Sequence, residues 1–415
     1  MKRDPFGVTP FYYALTPHGL VHSESLDEVI AHPDIDATEL DERWIADYLQ
    51  DGVSNDERAT VYKHIRRLPP AHELTVREDG TLHIERYWSL PPREPRKDAP
   101  KLLEQALKNA IAERLEGADA AVVFMSGGLD STTLAALARE VRPQTRLVAS
   151  TNVYRSRIAD VEEPFAVEAA RSIGIPIDLF PLDGYAPLGS LAANLWTPDP
   201  GPLLAAEMTR DLFARVAQHA PVAMHGHPAD AVLYANIHAH LRRLPPLPRL
   251  GALLQAAWIR RRPAYLRRGE AETEHPLLSP MWSSYFEWTH PSRTGADVQV
   301  VYPWCDVRVV EAAMALEPIP HLVEKQVVRT MLRGRVSDTI RRRRKSVLQG
   351  NPWTAPLPPQ GVEITAAARY VDAQRFRDLC RAAGYLDDAA LRVLALNHWL
   401  GSLPQRVSRL RTRPA

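Results

Sequence analysis

The stretch VVFMSGGLDSTT, residues 122–133, decides the fold of this chain, because a short apolar run leads through a turn with two glycines into a helical pattern. Glycine adopts backbone conformations that are closed to other residues, so several backbone N–H groups can approach one anion. The positive end of the following helix points at the same place. The pattern therefore predicts a strand, a phosphate-binding turn and a helix. The residues that we expect to bind phosphate are Ser126, Gly127, Gly128, Asp130, Ser131 and Thr132.

Asp130 adds a requirement for a cation. A carboxylate beside phosphate groups is repelled unless a divalent cation lies between them, so the turn implies Mg²⁺. No lysine follows the glycines as it does in the Walker A motif, which argues against ordinary γ-phosphate transfer. The alternative is a tight glycine-rich turn that binds no ligand.

Composition sets broad limits on function. The 415 residues include 51 basic and 50 acidic side chains, so net charge alone attracts the chain neither to nucleic acid nor to a membrane surface. The two cysteines, Cys305 and Cys380, form no metal or disulfide framework. No apolar run reaches the length of a membrane span, and no signal peptide is recognisable at residue 1. We expect a cytoplasmic protein.

The order of predicted elements changes along the chain. Residues 1–90 are rich in strands, with hairpins at 11–23 and 72–88 and helices at 25–32 and 37–50. Residues 91–100 are rich in proline and charge and are expected to be a linker. From residue 101 onward strands at 120–125, 146–151, 177–182 and 222–225 alternate with helices, which predicts an α/β domain with a doubly wound parallel sheet. After about residue 229 the chain is helical, with one further strand-like run at 299–302.

Taken together, these pieces resemble the asparagine synthetase superfamily, whose members carry a pyrophosphatase-type (PP-loop) nucleotide fold. The motifs RDPFG at 3–7, FYY at 11–13 and IRRLPPAH at 65–72 resemble part of its N-terminal glutaminase-like (Ntn-type) domain. The resemblance implies that residues 1–90 are a truncated form of that domain lacking the nucleophilic cysteine, so that glutamine hydrolysis is not expected. It further implies that residues 101–415 are an ATP-dependent synthetase domain.

The same resemblance suggests a second metal ligand. The family places it in a Gly-x-Gly-x-Asp-Glu loop, and this chain has GHPADA at 226–231. Asp230 keeps the metal position, whereas the second glycine and the final glutamate are missing. Asp230 could instead be a helix N-cap, a position that aspartate favours.

Cations are expected near the nucleotide. By resemblance Lys325 contacts the phosphates, and Lys345, at the end of the basic run 341–345, contacts the activated acyl group. Preplaced positive charge stabilises the charge that develops on transferring phosphates. The alternative for this run is a solvated basic face or a helix C-terminus.

Two residues are candidates for the catalytic base. In the related β-lactam synthetases a tyrosine in the glycine loop pairs with a later glutamate, and His227 and Glu287 stand at about those positions here. Imidazole can act as a base near neutral pH.

Segments at 196–200, 275–282 and 316–325 look similar to lasso-peptide macrolactam synthetases. That resemblance implies a leader-free peptide as substrate and, as partners, a leader peptidase and a leader-binding protein. The proline- and arginine-rich stretch 241–268 would then cover a peptide-sized substrate, although a surface insertion without a role is an equal alternative.

The sequence therefore predicts an ATP- and Mg²⁺-dependent ligase that activates a carboxylate as its AMP ester and transfers it to an amine. Macrolactam formation in a peptide is the preferred form. The alternatives are ammonia-dependent asparagine synthesis and a degenerate synthetase that only binds a peptide or a partner protein.

Overall fold

The computed structural model describes residues 1–77, 80–237, 240–241, 246–260, 275–344 and 350–412. Of the segment 246–260, the side chains of 248–255 are described.

The N-terminal residues form two antiparallel units. One is a three-stranded sheet in the order β2-β1-β3, and the other is the hairpin β4–β5. Their strands are β1 Tyr12–Thr16, β2 Gly19–Ser23, β3 Arg66–Arg67, β4 His72–Val76 and β5 Leu82–Arg86, and the helices between them are α1 Leu26–Ala31 and α2 Glu42–Asp51. Both predicted hairpins are confirmed. The helix predicted over 37–50 begins only at Glu42, because the Asp41 side chain accepts the N–H groups of Arg43 and Trp44 and caps the helix there.

The central sheet has five parallel strands in the order β10-β9-β6-β7-β8. They are β6 Ala120–Phe124, β7 Arg146–Val153, β8 Ile177–Pro181, β9 Val222–His225 and β10 Gln299–Val301. Chain order reverses between β6 and β9, where Phe124 lies opposite His225. In such sheets ligands bind at this switch point, beyond the carboxyl ends of the strands. The predicted doubly wound sheet is confirmed.

Helices cover the sheet and extend the C-terminal part. They are α3 Ala99–Arg114, α4 Leu129–Val141, α5 Glu163–Ile173, α6 Gly189–Ala192, α7 Ala206–Ala217, α8 Ala229–Val232, α9 Pro246–Arg260, α10 Met281–Trp288, α11 Pro291–Thr294, α12 Val307–Met314, α13 Pro318–His321, α14 Gln326–Met331, α15 Asp338–Arg342, α16 Ala373–Ala383 and α17 Asp388–Arg411. Ala121, Val122 and Val123 on β6 are fully buried, as expected for a strand covered on both faces.

The C-terminal part also contains a strand pair that the sequence does not predict, β11 Ala355–Pro356 with β12 Tyr385–Leu386. Two-residue strands are too short to give a periodic pattern, which explains the omission.

A second apolar core joins the two ends of the chain. Trp44, Ile45 and Tyr62 from the N-terminal part pack in one cluster with Trp399 and Leu403 of α17. Residues far apart in sequence therefore share one buried surface, and the division of the chain at residues 91–100 remains a prediction.

Arg93 and Arg96 attach the proline-rich segment 91–100 to the α/β part, and the Arg96 backbone N–H donates to the Ala315 carbonyl oxygen at 2.8 Å. The Arg93 guanidinium donates to the carbonyl oxygens of Ala313, Leu316 and Tyr234 at 2.8, 3.1 and 2.9 Å. Within the described ranges, none of the helices combines the length and the apolar character required to cross a lipid bilayer.

Candidate nucleotide and metal site

Residues 125–130, called the phosphate turn below, connect β6 to α4 at the switch point. Gly127 has a φ of +67°, and a Cβ atom there would lie 2.5 Å from the Phe165 carbonyl carbon. No other residue fits this position without strain and collision. Gly128, the residue before α4, has a φ of −72°, which any residue can adopt. Only the first of the two glycines is therefore required by the backbone conformation.

The loop after β9 packs directly against the start of α4. A Cβ atom on Gly226 would lie 2.9 Å from the backbone nitrogen of Ser131, so glycine permits this close approach. Ser131 and Thr132 are buried in the first turn of α4 and are not among the residues of the cleft wall. Their role in phosphate binding remains a prediction.

Asp130, Asp230 and Lys325 meet at the mouth of the phosphate turn. The Lys325 ammonium nitrogen lies 2.6 Å from a carboxylate oxygen of Asp130 and 2.6 Å from one of Asp230. Because the Asp130 oxygen and the Asp230 oxygen contact the same nitrogen atom, the distance between these two oxygens cannot exceed the sum of the two contact distances. Asp230 lies within the first turn of α8, which begins at Ala229, so the N-cap alternative for Asp230 is wrong.

The two carboxylates fit a hard divalent cation. Mg²⁺ takes oxygen ligands at about 2.0–2.1 Å and is held in nucleotide sites by one or two carboxylates together with phosphate oxygens and water. In the described part of the chain, no three or more His, Cys, Asp or Glu side chains are grouped to hold a metal alone. This pair would therefore hold Mg²⁺ together with a phosphate ligand.

The backbone that presents Lys325 is strained. Glu324 and Lys325 have φ values of +50° and +53°, the left-handed region that residues with a Cβ avoid. Each such residue costs about 1 kcal/mol, and strain of this kind is concentrated at functional sites.

A cleft of about 460 Å³ opens above these residues. One part of its wall is charged and the other is apolar. The charged part comprises Asp130, Glu162, Asp230, Glu324, Lys325, Arg329, Arg343 and Arg344. The apolar part comprises Leu233, Tyr234, Ala235, Ile237, Leu322 and Val323, and His227 lies in the same wall.

His227 lies in an aromatic cluster at the end of β9. Its ring stacks on that of His225 with centroids 4.7 Å apart, and Tyr285 contacts both rings. Burial and then the neighbouring His227 lower the pKa of His225 to about 3, so His225 is neutral. The His225 Nδ1 accepts a hydrogen bond from the backbone N–H of His227 at 3.1 Å. The single ring proton of neutral His225 therefore lies on Nε2, which donates to the Tyr285 hydroxyl oxygen at 3.0 Å.

The sequence places His225 at the carboxyl end of a predicted strand, where ligands bind, but no role was predicted for His225 or Tyr285. A histidine at the last position of a predicted strand beside the switch point is the signal that could have indicated the first of them. No local pattern indicates Tyr285, which reaches His225 from α10, 60 residues later.

The structure does not bring Glu287 to His227. Arg67 donates to both Glu287 oxygens, at 2.7 and 2.9 Å, and Arg3 lies 3.8 Å away. Burial would raise the pKa of Glu287, but these arginines outweigh it and hold the pKa below its usual value. Glu287 and Tyr285 are two residues apart on α10 and therefore point to different sides, so Glu287 links α10 to the N-terminal part.

Lys345 and part of the predicted substrate cover at 241–268 lie outside the residues that the structure describes. Arg344, the neighbour of Lys345, lines the cleft. Of the stretch 241–268, residues 242–245 and 261–268 also lie outside. Leu253 of α9, which belongs to that stretch, packs in a small apolar cluster with Ile319 and Val323 at the apolar side of the cleft.

Comparisons with known proteins agree with this architecture. A family model described as asparagine synthase matches residues 102–406, and one described as a glutamine amidotransferase domain matches residues 1–88. Asparagine synthetase (glutamine-hydrolyzing) 3 of Bacillus subtilis is 30% identical over 139 residues, which are 33% of this chain and 22% of that protein. Asparagine synthetase (glutamine-hydrolyzing) 1 of the same organism is 24% identical over 254 residues, or 60% of this chain and 39% of that protein.

A relative with a different name is also similar. Amidase chyE of Penicillium rubens is 24% identical over 214 residues, which are 47% of this chain and 31% of that protein. The matched segments thus span less than half of the length of each of these relatives.

Proposed function

Because the chain belongs to the asparagine synthase family, we propose that it is an ATP- and Mg²⁺-dependent ligase that forms carbon–nitrogen bonds. A substrate carboxylate attacks the α-phosphorus of ATP, the bond to the β-phosphate oxygen breaks, and pyrophosphate leaves. An amine then attacks the acyl-adenylate and loses a proton, and AMP leaves as the amide forms. The observation that carries this proposal is the pair Asp130 and Asp230, brought together beside the phosphate turn by one lysine.

Each part of the cleft has a task in this reaction. The backbone N–H groups of the phosphate turn and the start of α4 face the departing pyrophosphate. When bound between the two aspartates, Mg²⁺ would neutralise phosphate charge. Lys325, which contacts both aspartates in the structure, would be displaced from them by Mg²⁺ and would then offer its positive charge to the phosphates. Lys345 is proposed, from the family resemblance, to stabilise the activated acyl group.

His227 is the best-placed base in the described cleft wall. Its ring lies in the wall with the two aspartates, and its backbone is fixed by the hydrogen bond to His225. We propose that His227 takes the proton of the attacking amine. The earlier candidate partner, Glu287, is already paired with Arg67 and Arg3 and has no part in this step.

The apolar part of the wall supports a peptide rather than free aspartate as the acid substrate. Free aspartate carries an α-ammonium and an α-carboxylate, both of which need charged partners when they leave water. Leu233, Ile237 and Leu322 offer apolar surface, which suits the side chains around an Asp or Glu within a peptide. Together with the resemblance of segments 196–200, 275–282 and 316–325 to macrolactam synthetases, this leads us to infer that the amide is a macrolactam, formed when the N-terminal amine of a leader-free peptide attacks its activated side chain.

This preferred form includes proposed partners, namely a peptidase that removes the leader and a protein that binds it. Ammonia-dependent asparagine synthesis is the second candidate, since two of the three relatives named above are asparagine synthetases.

Pyrophosphate release and AMP formation test the proposal. The full-length protein is incubated with Mg²⁺-ATP and either candidate precursor peptides or aspartate with ammonium, and Asp130→Asn is the matched control. We expect turnover with a peptide, loss of water from the peptide mass, and no turnover in the control. Turnover with aspartate and ammonium alone would favour asparagine synthesis. Absence of AMP under every condition, together with tight peptide binding, would refute the enzymatic proposal.

A further inference from the structure

Two buried arginines, Arg329 and Arg343, lie beside the phosphate turn in the charged part of the cleft wall, and the reaction proposed above assigns no role to either of them. The Arg343 side chain is only 6% exposed. Its Nη1 donates to the Ser126 carbonyl oxygen at 2.9 Å, and its Nη2 lies 3.3 Å from Glu162. The first contact holds the peptide unit immediately before Gly127, which is the strained position of the turn.

Arg343 also reaches the other side of Gly127. Its guanidinium stacks over the Phe165 ring, 4.1 Å from the ring centre. The Phe165 backbone is the surface against which Gly127 packs. One side chain therefore braces both the carbonyl that precedes Gly127 and the start of α5 that lies against it.

Arg329 contacts both the Arg343 backbone and the backbone at residues 324–325 that presents Lys325. Its three guanidinium nitrogens donate to the carbonyl oxygens of Glu324, Arg341 and Arg343 at 2.7, 2.7 and 2.9 Å. The first carbonyl belongs to the left-handed pair that presents Lys325. The other two fix the end of α15, from which Arg343 extends.

We propose that Arg343 is a positioning residue that keeps the phosphate turn in its anion-binding shape, with Arg329 holding Arg343 in place. This inference rests on the proposed nucleotide site. Through these contacts the turn that carries Asp130, the turn that carries Lys325 and the segment that leads to Arg344 form one hydrogen-bonded unit. We call this unit the arginine latch.

The geometry separates this role from a simple charge on the phosphates. The described contacts of Arg343 are with the Ser126 carbonyl, the Glu162 carboxylate and the Phe165 ring. A planar guanidinium can make all three contacts at once. A lysine keeps the charge but is a point donor and cannot stack in the same way. Loss of a charge-assisted hydrogen bond of this kind changes the equilibrium constant for opening of the turn roughly 10- to 100-fold.

Hydrogen–deuterium exchange of the full-length protein without nucleotide tests the latch directly. The variants are Arg343→Lys and Phe165→Leu, and Arg342→Gln is the control because its side chain is 69% exposed and pairs with Asp338 on the surface. We expect the amides of residues 124–134 to exchange roughly tenfold faster in both variants, with unchanged exchange in β7 and in the control. Unchanged exchange at 124–134 in both variants would overturn the latch.

Binding of Mg²⁺-ATP, measured by calorimetry, gives a second readout. We expect binding about tenfold weaker in Arg343→Lys and in Phe165→Leu, and no further loss when the two are combined, because each breaks the same contact. If Arg343→Lys binds Mg²⁺-ATP as tightly as the unmodified protein, the positive charge that lysine keeps is sufficient and the latch is refuted. If the unmodified protein does not bind Mg²⁺-ATP, the proposed function fails, and the exchange experiment still decides the latch.

Discussion

Replacing Lys325 by methionine tests whether the two aspartates form a cation site. In the structure the Lys325 ammonium lies 2.6 Å from both Asp130 and Asp230 and supplies the positive charge between them. Methionine keeps much of the side-chain length but carries no charge. Two carboxylates would then face each other without this neutralising group.

The expected cost follows from the exposure of the three side chains, which is 19% for Lys325, 23% for Asp130 and 47% for Asp230. Exposed ion pairs contribute about 0–1 kcal/mol. Breaking a buried pair costs about 3–5 kcal/mol, because it leaves an uncompensated charge. These partly buried groups lie between the two cases, so we expect Lys325→Met to lower the free energy of unfolding by about 2 kcal/mol, measured by urea denaturation without metal.

Mg²⁺ should reverse this loss. In the unmodified protein Mg²⁺ has to displace the Lys325 ammonium, whereas in Lys325→Met this competing ammonium is absent. We therefore expect added Mg²⁺ to stabilise the variant more than the unmodified protein, through mass-action linkage to the folded state.

Lys108→Met is the matched control. Lys108 also bridges two carboxylates, those of Glu104 and Glu140, and its side chain is 20% exposed. There Arg335 contacts both glutamates as well, so positive charge remains after the substitution. We expect a smaller loss of stability and no gain from Mg²⁺. Equal Mg²⁺ responses in both variants, or none in Lys325→Met, would refute the cation site.

Four further predictions follow from the site and its surroundings. Asp130→Asn should abolish ATP-dependent pyrophosphate release without changing the circular dichroism spectrum, and near-normal turnover would contradict the Mg²⁺ assignment. Arg67→Ala should lower the free energy of unfolding by about 3–5 kcal/mol, because Glu287 is then buried without its main partner, and a loss below about 1 kcal/mol would contradict this. His225 has a pKa of about 3 in the folded protein, whereas in the unfolded chain it takes up a proton below about pH 6.5. The neutral buried His225 is therefore fully compatible with folding above that pH. As the pH falls from about 6.5 towards 3, the free energy of unfolding decreases by about 1.4 kcal/mol per pH unit. His225→Gln should show a shallower loss of stability with acid, and an identical pH profile would exclude this titration. Lys345→Ala should slow amide formation about 10²- to 10³-fold in a single-turnover assay, and a twofold effect would assign Lys345 to the solvated basic face.

Local patterns were sufficient to predict which segments form the strands of the central sheet. The apolar run before Ser126 and the alternation that follows predicted the parallel strands, because a strand covered on both faces needs continuous apolar residues. The start of α2 was misplaced, since the Asp41 cap is a matter of side-chain geometry. The sequence pattern does not distinguish the two glycines of the turn, of which only Gly127 has a left-handed backbone.

The sequence by itself predicted the turn that ends at Asp130, and the family resemblance added Asp230 as its partner; the two lie together because each follows a strand that ends at the same edge of the sheet. Tertiary structure alone decided which side chains surround the site. It directed Glu287 to Arg67, brought Tyr285 to His225, and placed Arg343 beside the turn, 217 residues from the carbonyl that it contacts. Such pairings depend on which face each helix presents after packing, and packing is the sum of many weak apolar contacts that no short stretch of sequence contains.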